Sequence, residues 1–179
     1  MPHPLPPPPQ RAMIVTLLVH PEDLAPFDAL RRRFFPAQRN HLSAHVTLFH
    51  HIPPEQRDSF IQFAERRFTD QPPFSVEVGQ PISLGGGVAY PLDLPPLAAL
   101  RAPLRERFAE VLTPQDRRPW RRPHITVQNK VDKATADRLL RHLRRRFRPR
   151  RIRITGLEFH RYDGGPWTGL HQIRFAPLP

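Results

Sequence analysis

One four-residue pattern occurs twice in this chain, as His45-Val46-Thr47-Leu48 and as His124-Ile125-Thr126-Val127. Each copy is apolar apart from its His and Thr and reads as a short strand. The elements around the copies repeat in one order: strand, helix, His-x-Thr strand, helix, strand. First-strand start to histidine spans 45 − 14 = 31 residues in one half and 124 − 88 = 36 in the other. Histidine to the start of the next strand spans 74 − 45 = 29 and 151 − 124 = 27. Chance supplies one His-x-Thr; it does not supply two on matching strands in matching order. The chain reads as an internal duplication with a period near 124 − 45 = 79 residues.

The elements follow from local pattern. A β-rich apolar run covers 14–19, and Pro21-Glu22-Asp23 opens a helix, with its acidic residues well placed for a helix start, that Pro36 ends. Strands are expected over 45–50 and, by strict alternation, 74–79. Helical spacing through Phe60, Phe63, Ala64 and Phe68 marks 55–68. In the second half, 82–84 and 88–90 form a hairpin across Gly85-Gly86-Gly87, and a helix covers about 96–112. A strand at 124–127 and a helix at 133–147 follow, the helix carrying Ala136, Leu139, Leu140, Leu143 and Phe147 on one face. Strands at 151–162 and 167–176 close the chain. The expected organisation is one bilobal domain over 13–179, with lobes of about 13–80 and 81–179 between which strands can be exchanged. Residues 1–12, MPHPLPPPPQRA, read as a disordered, polyproline-like tail.

Composition narrows the partners. The 179 residues carry 28 Lys+Arg against 16 Asp+Glu, a formal charge of +12, and Lys130 and Lys133 are the only lysines. A basic surface of this kind seeks phosphate polymers, so RNA or a nucleotide is the expected partner. No apolar run reaches the ~18–20 residues of a membrane span, and no apolar stretch follows a basic start as in a secretory signal. Zero cysteines exclude a disulfide framework, a thiolate zinc site and a cysteine nucleophile. A cytoplasmic monomer is the resulting expectation.

Alternate side chains of a strand share a face. His45 and Thr47 therefore point one way and Val46 and Leu48 the other, and His124 and Thr126 oppose Ile125 and Val127. If the halves pack about a pseudo-two-fold axis, the polar faces meet in a cleft lined by two imidazoles and two hydroxyls. That set suits a phosphodiester. With an ordinary pKa of about 6.5, one ring can be neutral and the other protonated near pH 7. The neutral ring takes a proton from the attacking oxygen and the charged ring gives one to the leaving oxygen. The threonine hydroxyls donate to non-bridging oxygens. No metal or other cofactor is needed for this chemistry.

The paired motifs resemble those of the 2H phosphoesterase superfamily, and within it the RNA 2′,3′-cyclic phosphodiesterases, or 2′-5′ RNA ligase-like proteins. The likeness of layout covers 14–176. It implies an α+β, duplicated bilobal fold: two antiparallel sheets facing a central cleft, with helices outside. It also implies metal-independent hydrolysis of 2′,3′-cyclic phosphates or 2′-5′ linkages. His45 and His124 match the catalytic pair, and Thr47 and Thr126 the phosphate-holding pair. Relatives often carry a basic residue shortly after a motif. Here Lys130 follows the second motif, and Phe49-His50-His51 follow the first.

Other residues carry weaker signals. Alternation sets Phe49 and Gln128 on the cleft face, as pocket lining or plain packing. Lys130 and Arg122 are candidate phosphate ligands or solvated charges. The arginine-rich runs 144–146 and 148–151 either track an RNA backbone or form a solvated face. Trp120, Tyr162 and Trp167 are candidates for base stacking, with packing as the default for each. His41, His45, His50 and His51 invite a metal reading, but alternation sets 45 and 50 on opposite faces and no carboxylate accompanies them, so no metal site is expected. Two rival functions are a non-catalytic RNA-binding module on the same fold and a basic interaction protein with structural histidines.

Overall fold

The structure, a computed structural model, describes residues 11–176. Strand β1 (Met13–Val19) leads into helix α1 (Pro21–Phe34), then β2 (Thr47–Ile52), α2 (Arg57–Arg67), β3 (Phe74–Val78) and β4 (Ile82–Ser83). The second half, which β4 opens, goes on with β5 (Val88–Pro91), α3 (Leu94–Arg107), α4 (Pro114–Arg117), β6 (His124–Gln128), α5 (Lys133–Arg145), β7 (Arg150–Tyr162) and β8 (Trp167–Arg174). The fold is α+β with two antiparallel sheets. One runs β2-β1-β7-β3 with β8 on β7, and the other runs β4-β5-β6.

Strands cross between the halves. The start of β7 pairs with β3, with Val76 opposite Ile152, and its later part pairs with β1. On the other side, Val78 at the end of β3 bridges to Leu92, just after β5 of the second half. Val76 and Ile152 are both buried and sit 152 − 76 = 76 residues apart, close to the repeat period. The pseudo-two-fold axis therefore passes between β3 and β7. A single apolar cluster joins both halves, including Phe27, Phe60, Leu97, Ile125 and Phe159.

Local chemistry explains the elements. Pro21 occupies the first turn of α1, where its missing N–H costs nothing, and Glu22 and Asp23 oppose the helix dipole there. Asp132 caps α5 by accepting from the Thr135 N–H at 2.9 Å, and Ala136, Leu139 and Leu143 form its buried face. Gly85 takes a φ of +83° in the β4–β5 turn, a conformation glycine adopts without strain.

Three expectations need correction. Regular pairing in β2 begins at Thr47 rather than at 45, and the strand runs on to Ile52. The short helix α4 is not visible in apolar periodicity, because four residues give no period to read. Of the tail expected to be disordered over 1–12, residues 1–10 lie outside the described residues, but Arg11 and Ala12 are tied down. The Ala12 carbonyl accepts from Tyr162 N–H at 3.0 Å and the Arg11 carbonyl from Arg57 at 3.2 Å. No described helix is long and apolar enough to cross a membrane.

Candidate active site

β2 and β6 are the edge strands of their sheets, and they bring the two motifs together. His45, Thr47, His124 and Thr126 line one small pocket of about 70 Å³, with His50 and Trp120 completing its wall. Behind them Val46, Leu48, Ile125 and Val127 are fully buried. The apolar partners of the alternation anchor each strand, and this anchoring fixes the direction of the histidines and threonines.

The two imidazoles are held alike. His45 Nδ1 donates to the Ser43 carbonyl at 2.7 Å and His124 Nδ1 to the Arg122 carbonyl at 2.8 Å. In each case the acceptor lies two residues before the histidine. A ring tied this way keeps its proton on Nδ1 when neutral, which leaves the Nε2 lone pair free. Burial lowers the His45 pKa to about 4; the Ser43 hydrogen bond opposes this, and the charges of Arg31, His160 and His124 add to it. The Trp167 ring packs on His45 at 4.7 Å between centroids and on His160 at 5.3 Å.

Two buried arginines brace the edges. Arg31, on α1, donates to the Thr126 carbonyl of β6 at 3.1 Å, and also to Asn40 and the Leu42 carbonyl. Arg101, on α3, donates to the Leu48 carbonyl of β2 at 2.8 Å, and to the Asp116 and Arg118 carbonyls. Each half thus sends a guanidinium from its first helix to the motif strand of the other half. Burial lowers both pKa values, that of Arg101 to about 10. Neither arginine is legible as structural in the sequence, where arginine reads as a solvated charge. The matching place of each on its half's first helix is the one available hint.

Both motif strands carry a β-bulge just after the threonine. Thr16 opposes Thr47 and Val15 opposes Phe49, so Leu48 is an extra residue. Ala89 opposes Thr126 and Val88 opposes Gln128, so Val127 is its counterpart. A bulge breaks strict alternation. Phe49, expected on the cleft wall, is instead fully buried, its ring 5.4 Å from Phe60 and under the Arg101 guanidinium. Gln128 is likewise buried rather than in the pocket, and its side-chain Oε1 has no hydrogen-bond partner. The same shift brings His50 back to the side of His45, where alternation alone separates them.

The remaining candidates lie around this pocket. Lys130 is exposed on the rim of a groove of about 590 Å³ that also holds Arg39, His41, His51, Tyr162 and Trp167. Arg122 and Trp120 line a second groove of about 430 Å³ on the other side, and Arg122 reaches the site through its carbonyl. His50 borders both grooves and the small pocket. Among the described residues no three His, Asp or Glu side chains are grouped as a metal site needs. In the arginine-rich runs, Arg144 donates to the Pro81 carbonyl, Arg150 lies over Phe27, and Arg151 pairs with Glu77.

Two lobes, two sheets and paired His-x-Thr strands facing one pocket define a 2H-type architecture. The family model of the 2′-5′ RNA ligase superfamily matches residues 19–166, and the chain belongs to that superfamily. Solved structures share the fold at low identity. Escherichia coli LigT complexed with 3′-AMP is 18% identical with a TM-score of 0.65, over 93% of this chain and 98% of that one. TT0787 of Thermus thermophilus is 16% identical with a TM-score of 0.64, over the same shares. A crystal structure of a phosphoesterase is 17% identical with a TM-score of 0.63, over 93% and 99%. No curated protein sequence matches the chain.

Proposed function

We propose that this protein is a metal-independent phosphodiesterase that acts on 2′,3′-cyclic phosphates or 2′-5′ linkages of RNA or nucleotides. One observation carries the reading. Two imidazoles, each with Nδ1 tied to a carbonyl, share a pocket with two threonine hydroxyls. His45 is the base, because its lowered pKa keeps the ring neutral across the physiological range. Its Nε2 takes a proton from water as the water oxygen bonds to phosphorus. His124 gives its Nε2 proton to the ribose oxygen as the P–O bond breaks. The product is a ribose hydroxyl beside a phosphomonoester, and proton exchange with solvent resets the pair. Thr47 and Thr126 donate to the non-bridging oxygens.

LigT has been crystallised with phosphate, 3′-AMP, ATP and NADP+. Those ligands support a nucleotide here, with the basic 590 Å³ groove and its aromatic wall as the region for nucleoside and flanking phosphates. Within this reading the protein acts in the cytoplasm as a monomer.

The test is incubation with 2′,3′-cyclic nucleotides and a 2′-5′-linked dinucleotide in excess chelator, with products separated by chromatography. Turnover of either in chelator is expected. Binding of RNA without turnover would leave the non-catalytic module as the answer.

A further inference from the structure

His50 has a setting neither motif histidine shares. Its Nδ1 lies 3.2 Å from Oδ1 of Asp116, a carboxylate whose side chain is 1% exposed. The same carboxylate accepts the backbone N–H of His50 at 2.9 Å and of His51 at 2.8 Å. These are donors on the outer edge of β2, just beyond the bulge. Burial works to raise the Asp116 pKa, but the hydrogen bonds from the His50 ring and from these N–H groups outweigh it and hold the carboxyl below its usual range. The Arg101 guanidinium grips the Asp116 carbonyl, and Thr113 receives its N–H, so the carboxylate is fixed from both sides. The side chain of His50 is half-exposed and borders the pocket of His45 and His124.

A carboxylate behind one imidazole nitrogen orients the ring and stabilises its charged form, whereas a carbonyl does so less. Of the three imidazoles at the pocket, only His50 has that backing. The motif pair must change charge during a proton-transfer cycle. A ring oriented by a fixed carboxylate and outside that cycle suits a different task, the grip on a phosphate oxygen.

We propose that His50, oriented by Asp116, is the substrate-binding cation of this site and donates Nε2–H to a non-bridging phosphate oxygen. The proposal rests on the phosphodiesterase reading above for its substrate class. His50 is then a third cleft histidine with a binding role, and Asp116 is a positioning residue.

Inorganic phosphate is the probe, because its binding is measurable whether or not the protein turns anything over. In titration calorimetry, His50→Gln is expected to weaken phosphate about tenfold, the low end for a charge-assisted hydrogen bond at a half-exposed site. KM for a 2′,3′-cyclic nucleotide should rise by a similar factor with kcat within about threefold. The ring nitrogens of His50, followed by ¹⁵N NMR, should both be protonated in the phosphate complex. Asp116→Asn should lose that signature while circular dichroism reports an intact fold; should Asp116→Asn fail to fold, His50→Gln alone decides. Unchanged phosphate affinity in His50→Gln overturns the proposal, as does a loss confined to kcat. A wild-type protein that binds phosphate through His50 but turns over no phosphodiester would sink the functional reading and leave the phosphate site standing.

Discussion

The two motif strands are alike up to one residue and then part. Through the His, the Thr and the bulge, β2 and β6 match in burial, in the carbonyl behind each imidazole and in the arginine on each edge. Beyond the bulge, β2 runs on through His50, His51 and Ile52, with Asp116 holding its outer N–H groups. β6 stops at Gln128; Asn129 accepts from the Lys130 N–H at 2.8 Å, and Lys130 turns the chain with a φ of 61°. The difference fits the chemistry proposed. Taking a proton from the attacking oxygen and giving one to the leaving oxygen needs two similar groups on opposite sides of phosphorus. Holding a substrate with a nucleoside on one side only needs an asymmetric grip, and the divergence lies in that outer part.

The strongest expected effect tests the matching part. His45→Ala and His124→Ala should each lower turnover of a cyclic substrate by roughly 10²–10⁴-fold. The double variant should be little worse than either, because groups acting as a unit are not additive. Steady-state kinetics on all three variants is the check. A single variant retaining more than about a tenth of the wild-type rate would show that the two arms are not equal partners.

The edge arginines come next. Both arginines donate to neutral acceptors, and each feels one nearby carboxylate: fully buried Asp116 for Arg101 and partly exposed Asp28 for Arg31. Arg101→Met removes three hydrogen bonds to carbonyls and the attraction of the fully buried Asp116 charge, at an expected cost of about 3 kcal/mol. Arg31→Met removes hydrogen bonds to carbonyls and an amide, at an expected cost of about 1–3 kcal/mol. Urea unfolding of the two variants measures the gap. Equal losses would mean that Asp116 adds nothing to the first arm.

The same comparison shows what was readable beforehand. Almost every long element was, because apolar spacing, Pro21 and Gly85 announce their own local structure. The cleft-facing His and Thr pairs were readable because alternation holds up to the bulge. Phe49, Gln128 and His50 were not, because a bulge is a matter of strand pairing: its signal lies in Val15 opposite Phe49 and Val88 opposite Gln128, not in the strand itself. Asp116 lies 66 residues from His50 on a four-residue helix, beyond any local pattern. The one sequence hint was the repeat offset, which sets His50 against Asn129 as polar residues just after each motif.

Acid should separate the two histidines. The His45 pKa in the folded protein is about 4, below its ordinary value of 6.5. Between those values the unfolded chain binds a proton that the folded chain does not, so stability falls as pH drops from 6.5 towards 4. His45→Gln should flatten that part of the stability curve, measured by thermal unfolding. The base form of His45 is also lost as pH falls through about 4, so kcat/KM should drop about tenfold per unit only below that point. An acid limb of kcat/KM that stays at about 6.5 would take the base role away from His45.

The smallest effect is at the second arm's turn. Lys130 is the only non-glycine residue with positive φ among the described residues, and its exposed amine stands on the rim of the 590 Å³ groove. A left-handed backbone costs a side-chain-bearing residue about 1 kcal/mol, which glycine avoids. Glycine also gives the unfolded chain more freedom, and this offsets part of the gain. Lys130→Gly should therefore leave folding stability within about 1 kcal/mol of wild type, on the stable side, by chemical denaturation. The charge is lost as well. If this arm grips the substrate through Lys130, KM for a cyclic nucleotide should rise by about two- to fivefold, as for loss of a solvent-screened contact. Adding salt should shrink that difference, because screening weakens the wild-type contact and leaves the variant unaffected. A KM that does not move would leave binding by charge to the His50 side of the cleft, and Lys130 would be a turn residue only.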